Sequence, residues 1–308
     1  MDSRQLRYFE TIFEKRSLTT AAGELRVATS ALSHHLANLE DELGTRLFHR
    51  KPRGLEPTAA GERLYEHAKA ILRAMQTAER DIKAAGGEVA GNVTIGMAYS
   101  AVKAIGIPLL QRILADYPKL NLSLSESLSG TTLLHLLAAD VDMALVYNPP
   151  ADARLKSTPV LEENMVLIGL ETIIGPGGEP IAFKETLDLP MIILRQGISA
   201  RALIEDATLL KKLESRARFQ MNSVQAIGSA LVAGLGCAIG TRLFLQDYID
   251  NGALVVRPVV EPELSRTLYV CQIADRPSSY AMEALHNLLI ELVHAAIDCG
   301  AWQAKKLY

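Results

Sequence analysis

The sequence predicts a helical N-terminal module joined by a long helical rod to an α/β domain. Three patterns predict it. Between Ser17 and Phe48 the apolar residues form two short helical stripes separated by only a few residues. From Thr58 to beyond Ala85 they recur in steps of four and three, with no proline. After Gly91, short apolar runs alternate with helix-length segments, as in a mostly parallel sheet with crossover helices.

The first helix is carried by Leu6, Phe9, Ile12 and Phe13 and should end near Arg16. Leu18, Ala21, Ala22 and Leu25 then make one buried stripe, and Leu32, Leu36, Leu39 and Leu43 a second. The link Arg26-Val27-Ala28 is so short that the two helices must meet steeply. Ser17 should cap the first of them, Thr29 or Ser30 the second, and Gly44 should lie just past its end. Ser30, Ser33, His34 and Ala37 fall on the side away from the leucines, and Thr29 at the helix start is a further candidate for DNA contact. Such a face, small and hydrogen-bonding near a helix N-terminus, suits a duplex groove, although a merely solvated helix has the same composition. Next comes His49-Arg50-Lys51-Pro52-Arg53-Gly54, a basic turn in which Arg50, Lys51 and Arg53 are candidates for phosphate or minor-groove contact.

In the long helix the spacing of Leu64, Ala68, Ile71, Met75, Ala78 and Ile82 is that of a paired helix, which points to a homodimer. Packing against its own domain is the alternative. Gly86-Gly87 and Gly91 mark a hinge. Beyond it strands are expected at Val93–Gly96, Leu120–Glu126, Met143–Tyr147, Val166–Gly169, Met191–Leu194, Cys237–Gly240, Leu254–Pro258 and Leu268–Gln272. Helices are expected near Ala101–Asp116, Thr131–Ala139, Ala200–Lys212, Val224–Ala233, Leu243–Asp250 and Ser279–Ile297.

Composition bounds the function. The 308 residues suffice for two or three domains, and 49% hydrophobic with 22% charged residues is ordinary for a soluble protein. The net charge of −3 does not favour a nucleic-acid partner, and residues 1–58 reach only +1, so a DNA case rests on where the cations lie. Cys237, Cys271 and Cys299 are too widely spaced for a disulfide framework or a zinc site, and no metal or cofactor is expected. His34 and His35 are adjacent and diverge on a helix, and His135 belongs to a helix face. The Gly234–Gly240 run has the wrong spacing for a dinucleotide loop and reads as a helix end entering a strand. No catalytic motif or acid–base constellation is present. MDSRQLRYFE holds no apolar signal core, and a soluble, cytoplasmic protein is expected.

The run SLTTAAGELRVATSALSHHLANLEDELGTRLFHR, continued by KPRGLEPTAAG, closely resembles the N-terminal winged helix-turn-helix of LysR-type transcriptional regulators. Length and layout fit the same family. Two departures bear on the operator and its affinity. Ala28-Thr29-Ser30 stands where the family usually has Ser-Gln-Pro, and His34-His35 stands in place of an Arg-Gln-type pair. The resemblance implies a winged helix-turn-helix over 1–58, a linker and dimerisation helix with hinge over 59–90, and an effector domain over 91–308. That last domain would have the two-lobed α/β fold of periplasmic binding proteins, lobe one being about 91–161 and 266–300 and lobe two about 162–265. The family's effector cleft, carried over residue by residue, falls on Tyr99, Ser100, Thr131, Asn148, Ser199 and Asn222 or Gln225.

Gly169-Leu170-Glu171-Thr172-Ile173 replaces a common His-Pro-Leu turn. Together with SGTTLLHLLAADVDMALVY it resembles the nitrogen-assimilation-control branch, some members of which act without a small effector. The implied function is a sequence-specific DNA-binding regulator. Its implied partners are promoter DNA, a small-molecule effector, further copies of the chain as dimer or tetramer, and RNA polymerase as a candidate. The competing readings are an α/β small-molecule-binding protein whose N-terminal helices serve assembly, and an α/β enzyme.

Overall fold

The structure, a computed structural model, describes residues 1–51, 54–83, 89–194 and 207–307. It divides into two compact units, Met1–Glu88 and Val89–Tyr308.

The first unit begins with α1 (Ser3–Lys15), whose start is closed by a capping box between Asp2 and Gln5. α2 (Leu18–Leu25) is capped by the Ser17 hydroxyl, which accepts from the Thr20 N–H. α3 (Thr29–Leu43) is capped one residue before Thr29 and two before Ser30, the expected caps. Ala28 occupies the cap position and gives no side-chain hydrogen bond, which leaves Thr29 and Ser30 inside the first turn. Gly44 ends α3 in the left-handed conformation, as expected. Leu32, Leu36 and Leu39 of α3 join Leu6, Phe9, Ile12, Ala21 and Phe48 in one buried core, whereas Leu43, expected on the same stripe, is exposed at the helix end.

The basic segment is not a free turn. β1 (Phe48–Lys51) and β2 (Gly54–Pro57) pair antiparallel as a short hairpin, from Phe48 opposite Pro57 to Lys51 opposite Gly54. Its return strand is tied to the end of α1, where the Leu55 N–H donates to the Arg16 carbonyl at 2.8 Å. A Cβ on Gly54 would stand 2.5 Å from that same oxygen, and φ there is +125°, so only glycine fits. α4 (Ala59–Lys83) follows. Thr58 anchors its start, with the hydroxyl donating to the Arg46 carbonyl and accepting from the Gly61 N–H.

The second unit holds two sheets. β3 (Ala90–Ala98), β4 (Lys119–Ser127), β5 (Met143–Tyr147), β6 (Leu155–Asn164), β13 (Ser265–Ile273) and β14 (Lys305–Lys306) form one, in the order β14-β6-β13-β5-β3-β4. β7 (Val166–Gly169), β8 (Ile181–Ala182), β11 (Ala238–Gly240) and β12 (Val255–Val260) form the other, in the order β11-β7-β12-β8. A parallel pair, β9 (Ile192–Leu194) with β10 (Phe219–Met221), lies beside the second through a bridge between Met191 and Cys237.

α5 (Tyr99–Asp116), α6 (Ser129–Leu137) and α12 (Tyr280–Asp298) belong to the first lobe. The short α7 (Glu171–Ile174) and α8 (Phe183–Thr186), with α9 (Ala207–Arg216), α10 (Val224–Val232) and α11 (Gln246–Asp250), belong to the second. The two lobes have separate cores, one around Ile95, Leu109, Leu145 and Leu289, the other around Leu167, Ile181, Met191 and Leu213.

The expected mostly parallel sheet is corrected to a mixed one. β3 runs parallel to β4 and β5, but β13 is antiparallel to both β5 and β6, and β7 is antiparallel to β11 and β12. The reason is that β6 and β13 carry the chain out of lobe one and back again, so they must oppose each other. The crossing falls at Asn164–Met165 rather than after Leu161, because β6 stays paired with β13 through Asn164. β6 itself is absent from the expected strands. Its sequence LKSTPVLEEN has a proline and few apolar residues, and only its later half is buried.

Candidate nucleic-acid interface and ligand cleft

The face of α3 opposite its leucines is open. Thr29, Ser30, Ala31 and His34 are exposed, whereas Ser33 and Ala37 are half-buried. His34 lies 3.3 Å from the Asn38 amide one turn on. Ser33, Ala37, Arg46, His49, Arg50 and Leu55 border a groove of about 340 Å³ between α3 and the hairpin. Arg50 and Lys51 are exposed on β1, and Lys51 is paired with Glu56 at 3.2 Å. Arg53 lies outside the described residues.

A buried carboxylate fixes the hairpin against the helix. Glu40, only 6% exposed, accepts from the Leu47 N–H at 2.8 Å and from the Phe48 N–H at 3.3 Å. Its other oxygen takes the Arg46 guanidinium at 2.7 Å. In the sequence Glu40 is hidden as one of three successive acids. The signal lies in its spacing from Leu32, Leu36 and Leu39, which places it on the buried stripe.

In the second unit the lobes face each other across a cleft. A small inner cavity of about 80 Å³ is lined by Tyr99, Ser100, Ser129, Tyr147, Phe244 and Arg266. An outer pocket of about 350 Å³, also reached by Tyr99, is lined by Glu126, Asn222, Ser223 and Gln225. The floor is a charged knot. Arg266 is buried, stacked 3.6 Å above the Tyr147 ring and paired with Glu163 at 2.8 Å. One of its amino groups also donates to the Ser100 hydroxyl in lobe one at 2.9 Å and to the Thr241 hydroxyl in lobe two at 3.1 Å. The second Glu163 oxygen accepts the Trp302 indole N–H at 2.9 Å. Burial opposes the charge on Arg266, but Tyr147 and Glu163 outweigh it and keep the guanidinium protonated. Burial raises the Tyr147 phenol well above its usual value, so it stays neutral.

Two family models match this chain. One, described as the bacterial regulatory helix-turn-helix protein of the lysR family, covers residues 3–62, and the other, the LysR substrate binding domain, covers residues 86–293. The chain belongs to the LysR family of transcriptional regulators. It is a DNA-binding regulator with an effector-type C-terminal domain.

Among LysR relatives it is 31% identical to the nitrogen assimilation regulatory protein nac of Klebsiella aerogenes, over 95% of each chain. It is also 31% identical to nac of Escherichia coli K12, over 98% of this chain and 99% of the other. In fold it is similar to a full-length OxyR variant from Pseudomonas aeruginosa (TM-score 0.66, 18% identity, 96% and 95% covered). It is similar as well to CbnR complexed with target DNA (TM-score 0.63, 20% identity, 96% and 100% covered).

The effector residues expected of a LysR protein separate in this structure. Tyr99 and Ser100 line the inner cleft, and Asn222 and Gln225 its mouth. Thr131 lines neither pocket. α6 begins earlier than expected, at Ser129, so Ser129 and Gly130 take the lining position, and the Ser129 hydroxyl accepts from the Tyr147 N–H at 3.1 Å. Asn148 is turned to the hinge instead. Its side-chain oxygen accepts from the Thr267 N–H at 3.0 Å and its own N–H donates to the Thr267 carbonyl. Ser199 lies outside the described residues.

The expected dimer seam is likewise divided. Ala68 is sealed in the core of its own unit and Leu64 packs against that core, so Ala68 has no surface for a second chain. Ile71, Met75, Ala78 and Ile82 are exposed, Ile82 at 76%. Burial lifts the thiols of Cys237 and Cys271 to about 12 and about 11, as befits inert core residues. Among the described residues no His, Cys, Asp and Glu cluster could hold a metal, and no helix is long and apolar enough to cross a membrane.

Proposed function

We propose that α3 and the hairpin together read promoter DNA. Thr29, Ser30, Ser33 and His34 enter the major groove, and Arg50 and Lys51, joined by Arg53, meet the phosphates. The supporting observation is the open, small-residue face of α3 standing beside an exposed basic strand across a groove. CbnR, which is similar in fold, has been solved complexed with its target DNA. The exposed half of the α4 seam pairs with a second copy, placing two such faces on two half-sites. A small polar molecule, held by Tyr99, Ser129, Asn222 and Gln225, governs the second unit. The protein works in the cytoplasm and catalyses no reaction.

A salt titration of binding to promoter fragments tests the reading. Several phosphate contacts require affinity to fall steeply and log-linearly with salt, and a preferred fragment must outcompete random duplex throughout. Equal affinity for both duplexes would leave the N-terminal helices with an assembly role only.

A further inference from the structure

On the side of the hinge that Trp302 covers lies a second and larger cavity of about 580 Å³. Lobe two supplies Arg242, Gln246, Val256 and Pro258, the hinge strand supplies Glu162, Glu163 and Asn164, and the C-terminal segment 300–305 borders it. That segment is held in place by β14, which pairs with β6 so that Lys305 lies opposite Glu162.

The chemistry of the lining is unfinished. Arg242 is half-buried and its side chain makes no hydrogen bond or ion pair among the described residues. Lys305 also lacks an ion pair there, and Glu162 accepts only the Ser265 hydroxyl, at 3.3 Å. A forked guanidinium at the wall of a cavity, engaged in no ion pair there, is arranged for a carboxylate, which it can grip through two parallel hydrogen bonds. The volume suits a small metabolite, and Val256, Pro258, Leu243 and Trp302 supply an apolar wall.

We propose that this cavity is a second ligand site, distinct from the cleft at Tyr99 and Ser129, that takes a small carboxylate-bearing metabolite with its carboxylate on Arg242. Its occupant touches both lobes and the hinge strand at once. It also lies against Trp302, and Trp302 leads through Glu163 and Arg266 to Ser100 in the cleft floor. The two sites therefore share one chain of buried hydrogen bonds, which gives the second site a direct means of biasing the first. This goes beyond the reading of α3 and the hairpin and does not depend on it.

Isothermal titration calorimetry of the full-length protein with succinate and with L-glutamate tests the proposal. At least one of them binds, and Arg242→Gln weakens it about tenfold or more, the loss expected for charge-assisted bonds to one group. Arg242→Lys, which keeps the charge but loses the fork, weakens it less. Ser129→Ala, in the cleft, weakens it far less than Arg242→Gln does. Binding of glutamate but not succinate shows in addition that Glu162 reads an amino group. Absence of heat with both probes overturns the proposal, as does affinity that survives Arg242→Gln or that is lost in Ser129→Ala alone.

Discussion

Glu40 shows how much of the proposed DNA-reading surface depends on a group buried behind it. Its carboxylate satisfies two backbone N–H groups where β1 leaves α3, so the hairpin cannot tilt without stranding them. Glu40→Ala should lower the stability of full-length protein by about 2–4 kcal/mol in urea denaturation, since two buried donors lose their acceptor. Glu40→Gln retains one acceptor oxygen and should cost about 1 kcal/mol. Equal midpoints for wild type and Glu40→Ala would show that the two N–H groups find other partners. The apolar stripes are plain in the sequence because burial imposes periodicity. A single buried acid breaks no pattern, and its role emerges only once the turn after Gly44 brings Leu47 and Phe48 back beside it.

At the scale of elements, the proposed reading divides the work between α3, which sets sequence preference, and the hairpin, which sets affinity. Arg50→Ala should weaken binding about equally on all duplexes and reduce the salt slope by about one, as loss of one phosphate contact does. Ser33→Ala should instead alter base preference in a competition assay at the same salt. An unchanged preferred sequence would move the reading face elsewhere on α3.

α4 makes a comparable division along its own length. Its first turns belong to the unit's core, and the later ones expose Ile71, Met75 and Ile82. Ile71→Glu with Met75→Glu should therefore lower dimer content in light scattering without unfolding the module. The heptad spacing is legible, but spacing alone does not say which partner a helix meets. Ala68 is sealed in its own core because α4 packs along α1, where the Tyr65 ring stacks on Phe13. The same limit hides β6, whose polar residues alternate only weakly and whose pairing with β13 is fixed by contacts about a hundred positions away in the chain. Local elements such as β5 and β7 fall on their expected residues because a continuous apolar run needs no distant partner to be recognised.

For the second unit as a whole, the knot at Arg266 holds both lobes and the hinge in one arrangement. Glu163→Ala leaves a buried guanidinium without its counter-charge and strands the Trp302 N–H, and should cost about 3–5 kcal/mol. Replacing both charges, with Arg266→Met and Glu163→Leu, should recover much of that loss, because two buried ions are then never desolvated. Circular-dichroism melts compare the two variants. A double variant no more stable than Glu163→Ala would mean that the ties to Ser100 and Thr241, not the ion pair, hold the hinge. None of this knot is legible in advance, since Ser100, Glu163, Thr241, Arg266 and Trp302 are scattered over two hundred residues of chain.

Trp302 is the only tryptophan of the chain, and it is fully enclosed at this knot with its indole N–H on a carboxylate. Its emission therefore reports on one place alone, with no label and no competing tryptophan signal from either the N-terminal helices or the lobes' outer surfaces. A red shift on titrating any compound would signal water reaching the hinge, and a blue shift a tighter seal. The second unit carries its own optical gauge at the point where its two lobes are joined.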